Sequence, residues 1–512
     1  MSKRHHSVAF KPYCQHQVHL LPQSLDDLIA PGHPVRVVSQ IVDKIDIEPL
    51  LATYRGGGRS SYHPRMLLKV LIYAYITNVY SSRKIEAQIQ QNIHFMWLAA
   101  MEKPDHHTIN RFRSSRLKSV IKQVFAQVVQ LMADAGHLTL KEVYVDGTKL
   151  EANANRYTFV WGKSVKVNKE KLVDRLHELW QYTLSVTADE NLHNEEPDFS
   201  QLDAEKIQQT VDRIDKALQG KPISAKIRKI VTEARRNWAP RFENYCQKEQ
   251  ILAGRNSYSK TDKDATFMPM KEDHLNNAQP KPGYNVQVSS NNQMIVNYSI
   301  HQTPSDTTTL PEHLDEHKRM YDQAPEVVVA DAGYGSEENY VYLDANGTEA
   351  YVKHNHFDAE HNGKISHKRT FAVDHLHYNA EHDFFVCPMG QRMHKVADVS
   401  TKSANQYQRS RSEYRAANCN GCPLRGPCHK TNGNRSVVVS TKGMKLKVEA
   451  SARLKSEKGI AYRKKRCHDV ETVFANIKFN MGIRRCRLRG KEKVNIEIGL
   501  IALAHNLKKI AV

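Results

Sequence analysis

Glu326-Val-Val-Val-Ala-Asp-Ala-Gly333 is the run on which the architecture turns. Val327 to Ala330 show no polar alternation, so a strand of this kind must be covered on both faces and sits centrally in a sheet. Asp331 ends it. Glu142-Val-Tyr-Val-Asp-Gly-Thr148 is built alike: a short β-rich run that ends in an acid, Asp146. Between these two, Gly283–Val288 and Met294–Ile300 read as strands, with Asn291-Asn292 as their hairpin turn. Residues 307–321 read as a helix before the central strand, and helix 336–345 and strand 349–353 follow it. The order is β-β-β-α-β-α-β, an α/β class with a mixed sheet and flanking helices.

The rest of the chain sorts around this sheet. Its 512 residues are too many for one compact core. Residues 1–135 read as an all-helical domain that binds DNA ends. Gly56–Gly58 is a joint, and Pro64 opens an apolar helix from Met66 to Tyr80. Ser81-Ser82 caps Arg83–Gln91, and Asp105 caps His106–Leu117 with Arg111, Arg113 and Arg116. A basic second helix of a short pair is the helix-turn-helix pattern, although most helix pairs read no DNA. Residues 140–355 carry the sheet, interrupted by a charged helical insertion at 165–255. Residues 356–445 form a second insertion, rich in Cys and His, and 446–512 form basic helices that complete the core.

Charge points to the partner. There are 75 basic and 55 acidic residues, a formal net charge of +20. Phosphates are the commonest counterpart of such a surplus. The excess gathers between Arg463 and Lys493, where Asp469, Glu471 and Glu492 are the only acids. A charge run is often only a solvated face, but this one flanks a carboxylate that would otherwise repel DNA. No secretory pattern follows the basic start, and no run is long enough to span a membrane, so a cytoplasmic protein is expected.

Three carboxylates stand out. Active residues of open α/β sheets gather at strand ends, so Asp146 and Asp331 can meet although 331 − 146 = 185 residues separate them. Glu471 lies on a helix whose Val470, Val473, Phe474 and Ile477 make one apolar stripe. Glu471 and Lys478 are seven residues apart and share the edge of that stripe. Mg²⁺ takes oxygen ligands from a few carboxylates, water and phosphate, and a pair of such ions suits in-line phosphoryl transfer. The plainer readings are an Asp-Gly turn and a solvated helical Glu.

Cys387, Cys419, Cys422 and Cys428 occur as Cys-Pro-Met-Gly and Cys-Asn-Gly-Cys-Pro-Leu-Arg-Gly-Pro-Cys, a thiolate set suited to one structural Zn²⁺. His429 or His394 can replace a ligand, and four reduced thiols in a loop are the alternative.

Together these blocks resemble the DDE transposases of bacterial insertion sequences, closest to the branch called the IS eleven-eighty-two group. The resemblance is carried by Tyr62-His-Pro-Arg-Met-Leu-Leu-Lys-Val-Leu-Ile-Tyr-Ala-Tyr75, Ser81-Ser-Arg-Lys-Ile-Glu86 and Val145-Asp-Gly-Thr-Lys-Leu-Glu-Ala-Asn153. It continues through Thr261-Asp-Lys-Asp-Ala265, Gly283-Tyr-Asn-Val-Gln287 and Val329-Ala-Asp-Ala-Gly-Tyr-Gly335. It ends with Val470-Glu-Thr-Val-Phe-Ala-Asn-Ile-Lys478, Leu488-Arg-Gly490 and Ala504-His-Asn506. It implies a ribonuclease H-like core, with Asp146, Asp331 and Glu471 as catalytic ligands of Mg²⁺ or Mn²⁺ and Asp262 as an accessory acid. Its implied reaction is hydrolysis at an element end, then attack of the freed 3′-hydroxyl on target DNA. The DNA-binding set is Lys149, Arg466, Lys478, Arg484, Arg485 and Arg489, with Arg111 and Arg113. The partners are double-stranded DNA (terminal inverted repeats and target) and a second copy in a homodimer. The rivals are a ribonuclease H-like nuclease that cuts without joining, an inactive transposase-derived DNA-binding protein, and a zinc regulator reading DNA through 81–117.

Overall fold

The computed structural model describes residues 24–54, 60–187, 197–270, 279–363 and 370–511. The expected Gly56–Gly58 joint, the basic start and Cys14 lie outside the described residues. The chain divides into two compact units, Met1–Leu117 with Asn506–Val512, and Lys118–His505.

The first unit is helical: α1 (Pro34–Lys44), α2 (Glu48–Leu51), α3 (Pro64–Ile76), α4 (Ser82–Gln91), α5 (Ile93–Leu98) and α6 (His106–Arg111). Pro34 and Pro64 open their helices at the position where a missing N–H costs nothing. Asp105 caps α6, its Oδ1 accepting from Thr108 N at 2.7 Å. The expected helix pair differs in two ways. A third helix, α5, lies between α4 and α6, and α6 stops at Arg111 and gives way to a π-helical turn, Phe112–Arg116. That turn rotates Arg113 inward, where it is 5% exposed and donates to Tyr80 O at 2.6 Å. Arg116 donates to Thr53 O and lies over the Tyr54 ring. Of the three arginines expected to face DNA, only Arg111 is exposed.

The larger unit is built on α7 (Ile121–Asp134) and a six-stranded mixed sheet. Helix α7, expected within the 1–135 domain, belongs here. The first three strands are β1 (Glu142–Glu151) and the ribbon pair β2 (Phe159–Trp161) and β3 (Ser257–Ser259). The ribbon closes the base of the helical insertion. There α8 (Gly162–Val186), α9 (Ala204–Leu218) and α10 (Ala225–Leu252) share their own core around Trp180, Trp238, Ile207 and Ile214. The sheet continues with β4 (Thr266–Pro269), β5 (Pro280–Asn291), β6 (Met294–His301), helix α11 (Leu310–Tyr321), β7 (Val327–Ala330), helix α12 (Glu337–Ala345) and β8 (Glu349–Val352).

The strand order is β4-β5-β1-β7-β8, with β6 also paired to β5. Strands β1, β7 and β8 run parallel, whereas β5 is antiparallel to β1, β4 and β6. The all-apolar run 327–330 is thus an interior strand. The hairpin turn falls one residue later than expected, at Asn292 and Gln293, whose φ of 52° and 62° give the left-handed pair that a tight hairpin needs.

After a short helix α13 (Phe357–His361), the second insertion is a separate antiparallel sheet, not the loop-rich stretch its composition suggested. Its strands are β9 (His377–Asn379), β10 (Phe384–Val386), β11 (Arg392–Lys402), β12 (Gln408–Ala416) and β13 (Ser436–Val439). The chain then returns as α14 (Thr441–Lys455), α15 (Glu457–Ala475) and α16 (Lys491–Ile510). Helix α15 crosses the sheet against β1, β5, β6, β7 and β8. Val470 and Val473 are wholly buried on it, each contributing roughly 1.5–3 kcal/mol. Among the described residues no helix is long and apolar enough to cross a membrane.

Candidate active site

Register alone brings two acids together. Strands β1 and β7 pair in parallel up to Val145↔Ala330. The next residue on each strand is Asp146 and Asp331, so the two carboxylates stand side by side on one face where the strands part. Asp331 then caps a 3₁₀ turn, its Oδ1 accepting from Gly333 N at 2.8 Å. The Asp-Gly pair at 146–147 is no turn, because β1 runs through it to Glu151. Gly147 is required by packing: a Cβ there would lie 2.4 Å from Gln287 Nε2 and 2.9 Å from Asp306 Oδ1.

A cation from α15 lies against the pair. Arg466 Nη2 is 3.0 Å from Asp146 Oδ2 and 3.9 Å from Asp331 Oδ2. Arg466, expected on a DNA phosphate, is buried here and its charge is spent on carboxylates.

Glu471 lies one and a half turns further along α15. It is exposed and, among the described residues, makes no ion pair or hydrogen bond through its carboxylate. It shares a helix face with Phe474 and Lys478 at i, i+3 and i+7. Both of those line a cavity of about 670 Å³ with Asp146, Lys149, Glu151, Arg156, Lys281, Asp306, Phe479 and Arg484. The structure therefore joins Asp146 to Asp331 directly and leaves Glu471 out of contact with them. Among the described residues no three of His, Cys, Asp or Glu stand close enough together to hold one ion.

The expected basic residues divide by role. Lys149, Lys478 and Arg484 line the cavity. Arg484 also lies over the ring of Phe479, which is 63% exposed on a π-helical turn, Asn476–Asn480. Arg485 and Arg489 instead pin the segment after that turn to the end of β1. Arg485 donates to Ala152 O at 3.1 Å and Ala154 O at 3.0 Å, and Arg489 to Asn153 O at 2.8 Å. Both remain on the surface.

Three acids have roles that the sequence did not reveal. Asp262 is structural: it is 4% exposed, accepts from Tyr284 OH at 3.0 and 2.9 Å, and takes Gly490 N at 3.3 Å. Asp469 is buried and ties α15 to the β5–β6 hairpin, through Ser290 Oγ at 2.5 Å and Gln293 N at 3.2 Å. Asp306, in the loop before α11, accepts from Asn285 Nδ2 at 2.7 Å and Gln287 Nε2 at 2.9 Å. Gln287 in turn accepts from Tyr334 OH. Burial pushes the Tyr334 phenol well above its usual range, and the charges of Asp306, Asp146 and Asp331 push it further. The signal for Asp306 was slight: a Thr-Pro-Ser-Asp loop ahead of a helix.

In the second insertion Cys387, Cys419, Cys422 and Cys428 are free thiols that line one small cavity with His429. Arg435 donates to two of them, Nη1 to Cys428 Sγ at 2.8 Å and N to Cys419 Sγ at 3.4 Å. His394 is exposed on β11 beside the Phe384 ring.

Neither a curated protein nor a solved structure matches the chain. Two family models do, each over part of it, and Glu471 lies inside one match whereas Asp146 and Asp331 lie between the two. Residues 23–115 are similar to the Transposase domain (DUF772), and residues 386–511 are similar to the Transposase DDE domain.

Proposed function

We propose that this protein is the transposase of an insertion sequence of the IS eleven-eighty-two group, binding element ends and carrying out divalent-metal-dependent DNA cleavage and strand transfer. The observation that carries the proposal is the side-by-side pair Asp146 and Asp331 at the C-terminal ends of parallel strands, beside a basic cavity. The strand order, three antiparallel strands followed by two parallel ones, supports a ribonuclease H-like reading of the sheet. The two transposase-domain matches support the same function.

The pair fits a divalent cation, because a cationic guanidinium already lies within reach of both carboxylates. Asp146 and Asp331 would hold such an ion from the sheet, and Glu471 from the rim of the helix face that carries Phe474 and Lys478. A bound Mg²⁺ or Mn²⁺ supplies Lewis-acid charge at the scissile phosphate and eases deprotonation of the attacking hydroxyl. The chain's own part is positioning. Lys149, Lys478 and Arg484 hold the backbone phosphates, and Asp146 and Asp331 fix the reacting phosphate in line. Arg111, Arg485 and Arg489 offer further phosphate contacts on the surface. A homodimer pairing two ends belongs to the same proposal.

Joining separates this reading from its nearest rival. Incubating a pre-cleaved element end with plasmid DNA and Mg²⁺ should give joined products that migrate as tagged circles. Cleavage without any joined product would make the protein a nuclease.

One structural Zn²⁺ in the second insertion is also part of this reading. Four thiols around one cavity form a zinc donor set, and N–H donors onto two sulfurs are the kind of support that thiolate ligands take. Purified protein should contain about one equivalent of zinc. Cys422→Ser should lose it and unfold the β9–β13 sheet, read as protease sensitivity between 370 and 440. Zinc below half an equivalent, with four freely reactive thiols, would end this part of the proposal.

A further inference from the structure

Arg466 competes for the place that the proposed reading gives to a metal ion. Its Nη2 lies 3.0 Å from Asp146 Oδ2, the oxygen an ion would need, and 3.9 Å from Asp331 Oδ2. Two carboxylates on neighbouring strands repel unless a cation sits with them, and here the cation is part of the chain. The guanidinium is not fully seated, however. The Arg466 side chain is 10% exposed, and its Nε is buried with no hydrogen-bond partner among the described residues. Buried donors in a settled ion pair are nearly always satisfied. The neighbouring acid on α15 cannot serve it, because Asp469 is committed to Ser290 and Gln293.

We propose that Arg466 is an exchangeable counter-ion: it neutralises Asp146 and Asp331 in the metal-free protein, gives way to the divalent ion, and then turns to a phosphate oxygen of bound DNA. The inference rests on the metal-dependent reading above. A guanidinium nitrogen and a divalent ion cannot both stand about 3 Å or less from the same oxygen without strong repulsion in a half-buried site. The same planar fork that meets a carboxylate also matches a phosphate, so the displaced arginine has a ready second partner when DNA is present. The exchange couples metal loading to DNA binding. Without DNA the ion must displace the arginine at a cost; with DNA the phosphate takes that cost away. Arg466 is thus a positioning residue, acting through the carboxylates before the reaction and through the phosphate during it.

The test is Mn²⁺ binding measured by the loss of the free-ion electron paramagnetic resonance signal, in protein without DNA. Arg466→Gln should bind Mn²⁺ about tenfold more tightly than wild type, because the competing charge is gone. Arg466→Lys, which keeps a charge but cannot reach both carboxylates, should fall between the two. The Arg466→Gln melting temperature should lie below wild type without metal and rejoin it when Mn²⁺ is added. A random-sequence duplex should tighten Mn²⁺ binding to wild type and leave that of Arg466→Gln unchanged. Asp146→Asn is the control. If it abolishes Mn²⁺ binding and both Arg466 variants bind as wild type does, the counter-ion proposal falls and the metal reading survives. If Mn²⁺ binding is absent from wild type, or indifferent to Asp146→Asn, the metal reading falls and takes this proposal with it.

Discussion

Asp146→Asn and Asp331→Asn are each expected to lower the rate of DNA cleavage by about 10³-fold or more, while duplex binding stays within a few-fold of wild type. The asymmetry follows from the geometry. Each substitution removes one charge from a pair that register holds side by side, so the remaining carboxylate cannot anchor an ion alone. The cavity's basic residues, Lys149, Lys478 and Arg484, are untouched. Loss of a negative charge beside them slightly favours phosphate. Asp146→Asn also leaves Arg466 with only the 3.9 Å contact to Asp331, so a modest stability loss should accompany the kinetic one. Glu471→Gln separates the two effects. Glu471 is exposed and its carboxylate has no partner among the described residues, so this change should move stability by less than about 0.5 kcal/mol. Loss of cleavage in Glu471→Gln would then be chemical, not a consequence of unfolding. Single-turnover cleavage beside fluorescence anisotropy on the same duplex reads both quantities.

The largest stability effect is expected at Glu497. This carboxylate is 0% exposed. Both its oxygens accept from Arg487 N at 3.0 Å, and Oε2 also accepts from Leu488 N at 3.0 Å. The segment it holds is already zipped to the end of β1. Cys486 N donates to Glu151 O at 2.7 Å, and Asn153 Nδ2 donates to Arg487 O at 2.6 Å. The same backbone contact extends the sheet by one bridge, Glu151↔Arg485. Glu497→Ala would leave buried N–H groups unsatisfied and remove charge-assisted bonds, at a cost of about 3 kcal/mol. Glu497→Gln keeps one acceptor oxygen and should cost less. Urea unfolding followed by circular dichroism should show a lower midpoint with an unchanged slope. Because the freed segment carries Arg484 at the cavity, DNA affinity should fall with it. An Ala variant as stable as wild type would mean that the segment is held by its other bonds.

Much of the sheet could be read in the sequence because its signals are local. The apolar run 327–330, the alternating hairpin strands and the Asn-rich turn each state their own structure, and the observed strand order follows them. The meeting of Asp146 with Asp331 was also legible, since parallel pairing of two strands that both end in an acid leaves little freedom. What failed depended on side-chain partners far along the chain. Arg113 and Arg466 read as basic surface, yet each is turned inward by a helix whose periodicity at a single residue is ambiguous. A π-helical turn after α6 and another after α15 shift the faces of the residues that follow, and neither has a sequence signature. Asp262, Asp469 and Asp306 are isolated acids whose roles are set by tyrosine, serine and amide donors on distant strands. The five-stranded sheet of the second insertion was hidden by composition, because strands such as 392–402 are largely exposed and carry too few apolar residues to announce themselves.

Everything proposed for the catalytic unit depends on Asp146 and Asp331 forming a metal-dependent DNA-cleaving site. Cleavage of an end-labelled duplex carrying the element's own terminus, with Mg²⁺ or Mn²⁺ and with chelator, tests that dependence without intermediaries. The expected product is a nick at the element boundary that leaves a 3′-hydroxyl, needs the divalent ion, and disappears in Asp146→Asn and Asp331→Asn. Wild-type protein that binds the terminus but never cuts it, or aspartate variants that cut as fast as wild type, would contradict the assignment.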